Sequence, residues 1–219
     1  MTSADFSPAA VVVEGGPLEI RRVSVGPMDN NAYLLTCTAS GAQLLVDAAA
    51  DPDRLDALIS EGSAEGRLDT IVTTHSHHDH VGALADVVER TGARTAAGAE
   101  DAPAIPVPTD VPLHHGDTVQ VGEQRLDVIG LRGHTPGSIA LAWTAPDGTT
   151  FLLTGDSLFP GGVGNTDHDP ARFRSLLDDV EQRIFDRYPD SARVLPGHGD
   201  GTTLGAERPQ LPQWRERGW

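Results

Sequence analysis

The sequence predicts an α/β chain built in four layers: two mixed β-sheets packed face to face, with helices on their outer sides. Three observations carry this expectation. Strand-like segments come in two blocks, each followed by a helical segment, and two sheets that each need cover on both faces settle into such a sandwich. The loops that leave these strands are rich in histidine, aspartate and glycine, which puts a ligand-bearing rim along one edge of the sheets. No internal repeat or low-complexity linker divides residues 1–219, so a single domain with a short C-terminal tail is expected.

The first block opens with strands near 18–25 (LEIRRVSV), 31–38 (NAYLLTCT) and 42–48 (AQLLVDA), dense in aliphatic and β-branched residues. A helix is predicted over 52–61, with Asp51 as N-cap and Pro52 in the first turn, where a missing N–H costs nothing. The strand 68–73 comes next. Val81, Leu84, Ala85 and Val88 then recur at helical spacing and form one apolar face ending near Gly92. Residues 101–116 are proline-rich and read as irregular. The second block has strands at 117–121 and 125–131, then a pair at 138–144 and 149–154 across a Pro146-Asp147-Gly148 turn. Asp169 caps a helix over 170–187 that carries Phe173, Leu176, Leu177, Val180 and Ile184 on one side. A last strand, Arg193-Val194-Leu195, runs into the loop holding His198.

Composition excludes several classes of function. No apolar run approaches the 18 residues of a membrane span. The N-terminal stretch lacks the basic start and long apolar core of a secretory signal, so the cytoplasm is the expected location. Cys37 is the single cysteine and cannot form an internal disulfide. Its alternating apolar neighbours mark it as a buried core thiol rather than a nucleophile. With 32 acidic against 16 basic residues the net charge is −16, which repels a phosphate backbone. A small-molecule substrate is expected, with no nucleic-acid or membrane partner, in a monomer or homodimer.

The run Thr74-His75-Ser76-His77-His78-Asp79-His80 concentrates four imidazoles and a carboxylate directly after a strand. Imidazole and carboxylate are the donors that zinc, iron and manganese accept. Side chains of extended backbone repeat every second residue. His75 and His77 can therefore grip one ion, while Asp79 and His80, where the chain turns into a helix, face a neighbouring position. His78 reads as a surface or supporting imidazole. Three further donors sit beside glycines: His134 in GHTPGS, Asp156 in LLTGDSLF and His198 in LPGHGDG. A carboxylate can bridge two ions through its two oxygens and a neutral imidazole cannot, so Asp156 is the natural bridge among these three. His114 and His115 read as exposed loop residues. Tyr33, Trp143 and Phe159 read first as core aromatics. Trp214 and Trp219 either pack the tail down or form a subunit contact.

These residues carry a family resemblance. The H-x-H-x-D-H signature (His75, His77, Asp79, His80), followed by His134, Asp156 and His198, resembles the metallo-β-lactamase-fold hydrolases. The likeness extends from the first strands to about residue 205. It implies one ion at His75, His77 and His134, another at Asp79, His80 and His198, and Asp156 bridging both, with Asp79 and Asp156 as the catalytic carboxylates. Two divalent ions are implied as cofactors, zinc first, with iron and manganese open. Asp47, ending LLVD, resembles an acid that braces the ligand loop in many members; a turn aspartate is the other reading. A cysteine in place of Asp156, as in antibiotic-degrading β-lactamases, is absent.

Within the family, GHTPGS and TGDSLF are most similar to glyoxalase II-like (hydroxyacylglutathione hydrolase-like) thioester hydrolases, in which a metal-bridging hydroxide attacks the carbonyl. Persulfide dioxygenases share the motifs and imply a single iron at His75, His134 and Asp156. Lactone or ester hydrolysis is a further alternative. Asn165 stands where glutathione-using members carry a basic residue, and the chain stops about twenty residues after His198, without their helical extension. A different thiol carrier is therefore open. Asn165, His168 and Phe159, in the loop that follows Asp156, are the candidate substrate contacts.

Overall fold

Leu34 and Leu45 face one way and their neighbours Leu35 and Leu44 the other, in register across two paired strands. This period-two alternation splits each sheet's apolar residues between an inner and an outer layer. The structure is a computed structural model and describes residues 9–63 and 67–218. Its first sheet runs in sequence order through β1 (Ala10–Val13), β2 (Leu18–Val25), β3 (Asn30–Cys37), β4 (Gln43–Val46), β5 (Thr70–Thr73), β6 (Arg94–Gly98) and β7 (Val111–Leu113). Strands β1 to β4 pair antiparallel, and β4 to β7 pair parallel.

The second sheet contains β8 (Thr118–Val121), β9 (Gln124–Gly130), β10 (Ile139–Thr144) and β11 (Thr150–Gly155). A two-stranded hairpin follows, β12 (Leu158–Phe159) with β13 (Gly162–Val163). Strands β14 (Arg193–Pro196) and β15 (Thr202–Thr203) complete the second sheet in the order β15-β14-β11-β10-β9-β8, with only β11 and β14 parallel. Both sheets are mixed, as expected.

Three apolar clusters fill the spaces between the layers. Leu35, Leu44 and Val72 of the first sheet meet Leu126, Leu141 and Leu153 of the second, each fully buried leucine contributing roughly 2 kcal/mol of transfer free energy. Cys37 lies in this inner layer, and Trp143 stacks there on Phe151 at 5.8 Å. On the outer face of the first sheet sit α1 (Pro52–Gly62), α2 (His78–Val81) and α3 (Leu84–Thr91). On that of the second sit α4 (Pro170–Val180), α5 (Leu204–Glu207) and α6 (Leu211–Arg217). Trp214 of α6 is buried against Phe185, so this part of the tail packs down. Trp219 lies outside the described residues.

Four local expectations are corrected. Asp51 does not cap α1 with its side chain: it adopts left-handed backbone, and its carboxylate accepts from the Gly26 amide instead. The helix expected after the histidine run is two helices, because Ala83 N donates to Ala48 O rather than to its own turn. Its buried face uses Val81, Leu84 and Val87, while Ala85 is exposed. The proline-rich 101–116 region contains a 3-10 turn at Ala102–Ala104 and the edge strand β7. The helix from 170 ends at Val180 and continues as a π-turn over Glu181–Phe185. Asp169, by contrast, caps as expected, accepting from the Ala171 and Arg172 amides. Among the described residues no helix is long and apolar enough to cross a membrane.

The strand ends that carry chemistry meet at one edge of the sandwich. Ile139 N, opening β10, donates to Thr74 O just beyond β5. Asn31 N of β3 donates to Gly197 O beyond β14, and Gly197 N donates to Gly155 O at the end of β11. These bonds tie the two sheets together where the candidate ligands emerge.

Candidate metal centre

Beyond β5 the chain stays extended to His77 (φ −64°, ψ 143°) and then turns into α2. That geometry places the His75 and His77 rings 4.8 Å apart, with the His134 ring 4.8 Å from the first and 4.5 Å from the second. Asp79, His80 and His198 gather beside them: His80 Nε2 lies 3.2 Å from His198 Nε2, and Asp79 Oδ2 lies 3.3 Å from the same atom. Asp156 stands between the groups. Its Oδ1 is 3.4 Å from His80 Nε2, and its Oδ2 is 3.4 Å from His198 Nε2 and 3.7 Å from His134 Nε2. Each trio, and His75 with His80 and Asp156, brings its donor atoms within 4.8 Å of one another.

The hydrogen bonds at the far side of the rings fix which nitrogen faces the centre. His80 Nδ1 donates to Asp47 Oδ2 (2.8 Å), His134 Nδ1 to Asn165 O (2.7 Å) and His198 Nδ1 to Met28 O (2.9 Å). His75 Nδ1 lies 3.0 Å from Thr74 Oγ1, whose own proton goes to Asp47 Oδ2. The acceptors behind these rings leave the Nε2 atoms of four imidazoles directed inward. Converging lone pairs only 3.2 to 3.3 Å apart repel unless a cation or proton lies between them.

Two further observations fit ions in this space. Asp156 Oδ1 is buried without a hydrogen-bond partner, a costly arrangement for a carboxylate oxygen that a cation relieves. Gly197 packs so close that a Cβ there would collide with Asp156 Oδ1 and approach His80 Cε1 to 2.8 Å. The donor set of imidazoles and carboxylates suits zinc, iron or manganese.

The electrostatics are those of tightly coupled charges. Burial works against the His80 charge, but Asp47 and Asp156 outweigh it and push the group up to about 10. Burial and the neighbouring His80 drive His75 well below its ordinary value, and burial lowers His134. Burial opposes the Asp156 charge, yet His198 and His80 hold that carboxyl far below the usual range. Asp156 in turn raises His198.

All seven residues singled out as ligands come together here, with Asp47 behind them. Asp47 (φ 59°) accepts from Thr74 N, Thr74 Oγ1 and His80 Nδ1, the brace rather than the turn reading. The His78 side chain is 89% exposed, with its Nδ1 3.9 Å from Asp79 Oδ1, and belongs to none of the donor groups. His114 and His115 are exposed. Of the candidate substrate contacts, Asn165 reaches the centre through its carbonyl, while its side chain is exposed and bonds Asp167 N. Phe159 is half-buried in β12, and His168 is exposed in a left-handed turn (φ 57°). Neither belongs to a donor group.

Three residues with no motif signal also hold the site. Asn30 Nδ2 donates to Asp79 Oδ2 (2.9 Å). Arg172 of α4 donates to Gly133 O and His134 O, clamping the His134 loop. Tyr33, read from sequence as a core aromatic, is buried but donates its hydroxyl to Pro196 O, pinning the turn before His198. The adjacent Asn30-Asn31 pair at a strand start, polar where burial was expected, was the available signal for the first of these.

The chain is similar to known proteins in sequence and in fold. The profile of the Metallo-beta-lactamase superfamily matches residues 25–198. The hydroxyacylglutathione hydrolase of Fuscovulum blasticum is 41% identical over 136 residues, 62% of this chain and 51% of that protein. The chain thus spans about half the length of this relative. The crystal structure of TTHA1623 in a di-iron-bound form is 34% identical, with a TM-score of 0.69 over 85% of this chain and 96% of that one. ETHE1 from Myxococcus xanthus is 27% identical, with a TM-score of 0.74 over 90% of this chain and 84% of that one. With the family profile matching most of the chain, from residue 25 to 198, the chain belongs to the metallo-β-lactamase superfamily.

Proposed function

We propose that this metallo-hydrolase acts on a small acyl thioester with two divalent ions, zinc first among them. The observation that carries the reading is Asp156, whose Oδ2 lies between His134 of one donor group and His198 of the other, while its Oδ1 faces His80 and is buried without a hydrogen-bond partner. His75, His77 and His134 would hold one ion, Asp79, His80 and His198 the other, and Asp156 both. When bound, the ions supply Lewis acidity toward a carbonyl oxygen and a water ionised near neutral pH. The chain supplies the rest. Asp47, Asn165 O and Met28 O hold the imidazoles in the tautomer that presents Nε2, and the exposed side of His77 leaves the approach open to a small molecule. No protein nucleophile is required, and Cys37 is buried between the sheets, away from the site.

The named activity of the hydroxyacylglutathione hydrolase relative supports the thioester, and the di-iron form of TTHA1623 supports two ions. The Asn165 side chain is uncharged and its Oδ1 accepts from Asp167 N, which supports a carrier other than glutathione. The test is elemental analysis of untagged protein together with a thioester panel. Two ions per chain and thioester turnover are the expected result. One tightly bound iron, with oxygen uptake on a thiol persulfide and no thioester turnover, overturns it in favour of a mononuclear iron dioxygenase. That second reading has its own support: His75, His134 and Asp156 form a two-histidine, one-carboxylate set, with His134 Nε2 3.3 Å from His75 Nε2 and 3.7 Å from Asp156 Oδ2. Turnover confined to lactones or oxygen esters overturns the thioester and keeps the two-metal hydrolase.

A further inference from the structure

Asp101 is fully buried just beyond β6, in the stretch that sequence reading leaves irregular. A buried carboxylate is costly unless its oxygens are well supplied with donors. Asp101 has three. Oδ2 accepts from Ser76 N (2.8 Å) and Thr135 Oγ1 (2.6 Å), and Oδ1 accepts from Gly137 N (2.6 Å). Thr135 is fixed further by Ser138, whose Oγ lies 2.5 Å from the threonine hydroxyl.

These donors are not scattered. Ser76 separates His75 from His77, and Thr135 follows His134. The one carboxylate therefore joins the two loops that deliver all three histidines of the first donor group. The segment carrying Asp101 also packs directly on the His134 loop: a Cβ on Gly137 would collide with the Asp101 amide nitrogen, and one on Gly98 with Gly137 O. Asp47 does the corresponding work for the second group by bonding His80 directly, and it touches the first only at His75, by way of Thr74 Oγ1. Neither Asp101 oxygen has a bond to Asp79, His80, Asp156 or His198.

We infer that Asp101 is a positioning residue for the first ion, setting the separation of the His75–His77 loop from His134, while Asp47 positions the second ion through His80. The inference rests on the metal-binding reading above and is independent of the substrate. Carboxylates that orient ligand loops in this way change metal affinity by about 10- to 100-fold when altered. Asparagine at position 101 keeps the volume but presents one acceptor oxygen to three donors.

The test is zinc titration of metal-stripped protein against a chromophoric chelator, comparing wild type with Asp101→Asn. The same substitution is then made in His198→Ala, where the first donor group is intact, and in His77→Ala, where the second is. The expected result is a loss of about tenfold or more in zinc affinity in wild type and in the His198→Ala background, with less than threefold change in the His77→Ala background. Unchanged affinity in the His198→Ala background, or equal losses in both, overturns the inference. If Asp101→Asn does not fold, Thr135→Val removes one donor and is read the same way, with a smaller loss of the same selectivity. A wild type that binds no zinc, iron or manganese overturns the metal reading itself, and this inference with it.

Discussion

At the scale of single residues, the far-side nitrogen of each imbedded imidazole decides what its near-side nitrogen can do. His77 differs from the others in being exposed, and among the described residues no acceptor holds its ring. Its contribution to the first donor group is thus chemical rather than structural. His77→Ala should lose the first ion and abolish turnover while the far-UV circular dichroism and cooperative melting of the protein stay intact. Cys37→Ala gives the reverse pattern. Its thiol packs between the sheets and touches no candidate ligand, so turnover with metal bound should remain near wild type, while stability falls by about 1–2 kcal/mol in a urea titration. Full activity in folded, metal-free His77→Ala protein counts decisively against the metallo-hydrolase.

At the scale of elements, α4 matters because Arg172 projects from its first turn onto the His134 loop. Asp169 starts that turn. The amides of Arg172 and Ala171 hold its carboxyl below the ordinary value. A carboxyl lowered on folding contributes stability that is present above its unfolded pKa, near 4, and is lost as pH falls through the lower folded value. Asp169→Ala should therefore lower the melting midpoint by a few degrees at pH 7. The gap to wild type should close as the pH is taken below about 4. A gap that persists undiminished at pH 2.5 would mean that packing, not the cap, is at stake. The start of α4 was legible because aspartate followed by proline satisfies the two local demands of a helix N-terminus at once. Asp51-Pro52 offers the same pair and fails as a side-chain cap, since the Gly26 amide takes its carboxylate.

At the scale of the whole molecule, an acidic chain of net charge −16 gathers two of its carboxylates, Asp79 and Asp156, at a rim between two sheets. Metal bound there would relieve that repulsion and cross-link loops from both sheets. Metal removal with a chelator should lower the melting midpoint, and zinc at about a hundred times its Kd should restore about 2.7 kcal/mol of stability. A midpoint indifferent to zinc argues against ions at this rim.

The sequence by itself determined the layering, because alternation of two and spacing of three to four are local properties that leave each strand and helix with a face to bury. It also determined the seven donors and the likeness they carry, since imidazole and carboxylate at strand ends are chemical facts of the chain. Only the tertiary structure decided what surrounds them. Asn30, Asp101 and Arg172 act across 49, 34 and 38 residues of chain, and apart from the polar Asn30-Asn31 pair nothing in their neighbours marks them. The edge strands β1 and β7 likewise form because a partner strand is already in place. Such contacts are selected by the packing of distant segments, and a donor's worth depends on which acceptor the fold brings within 3 Å of it.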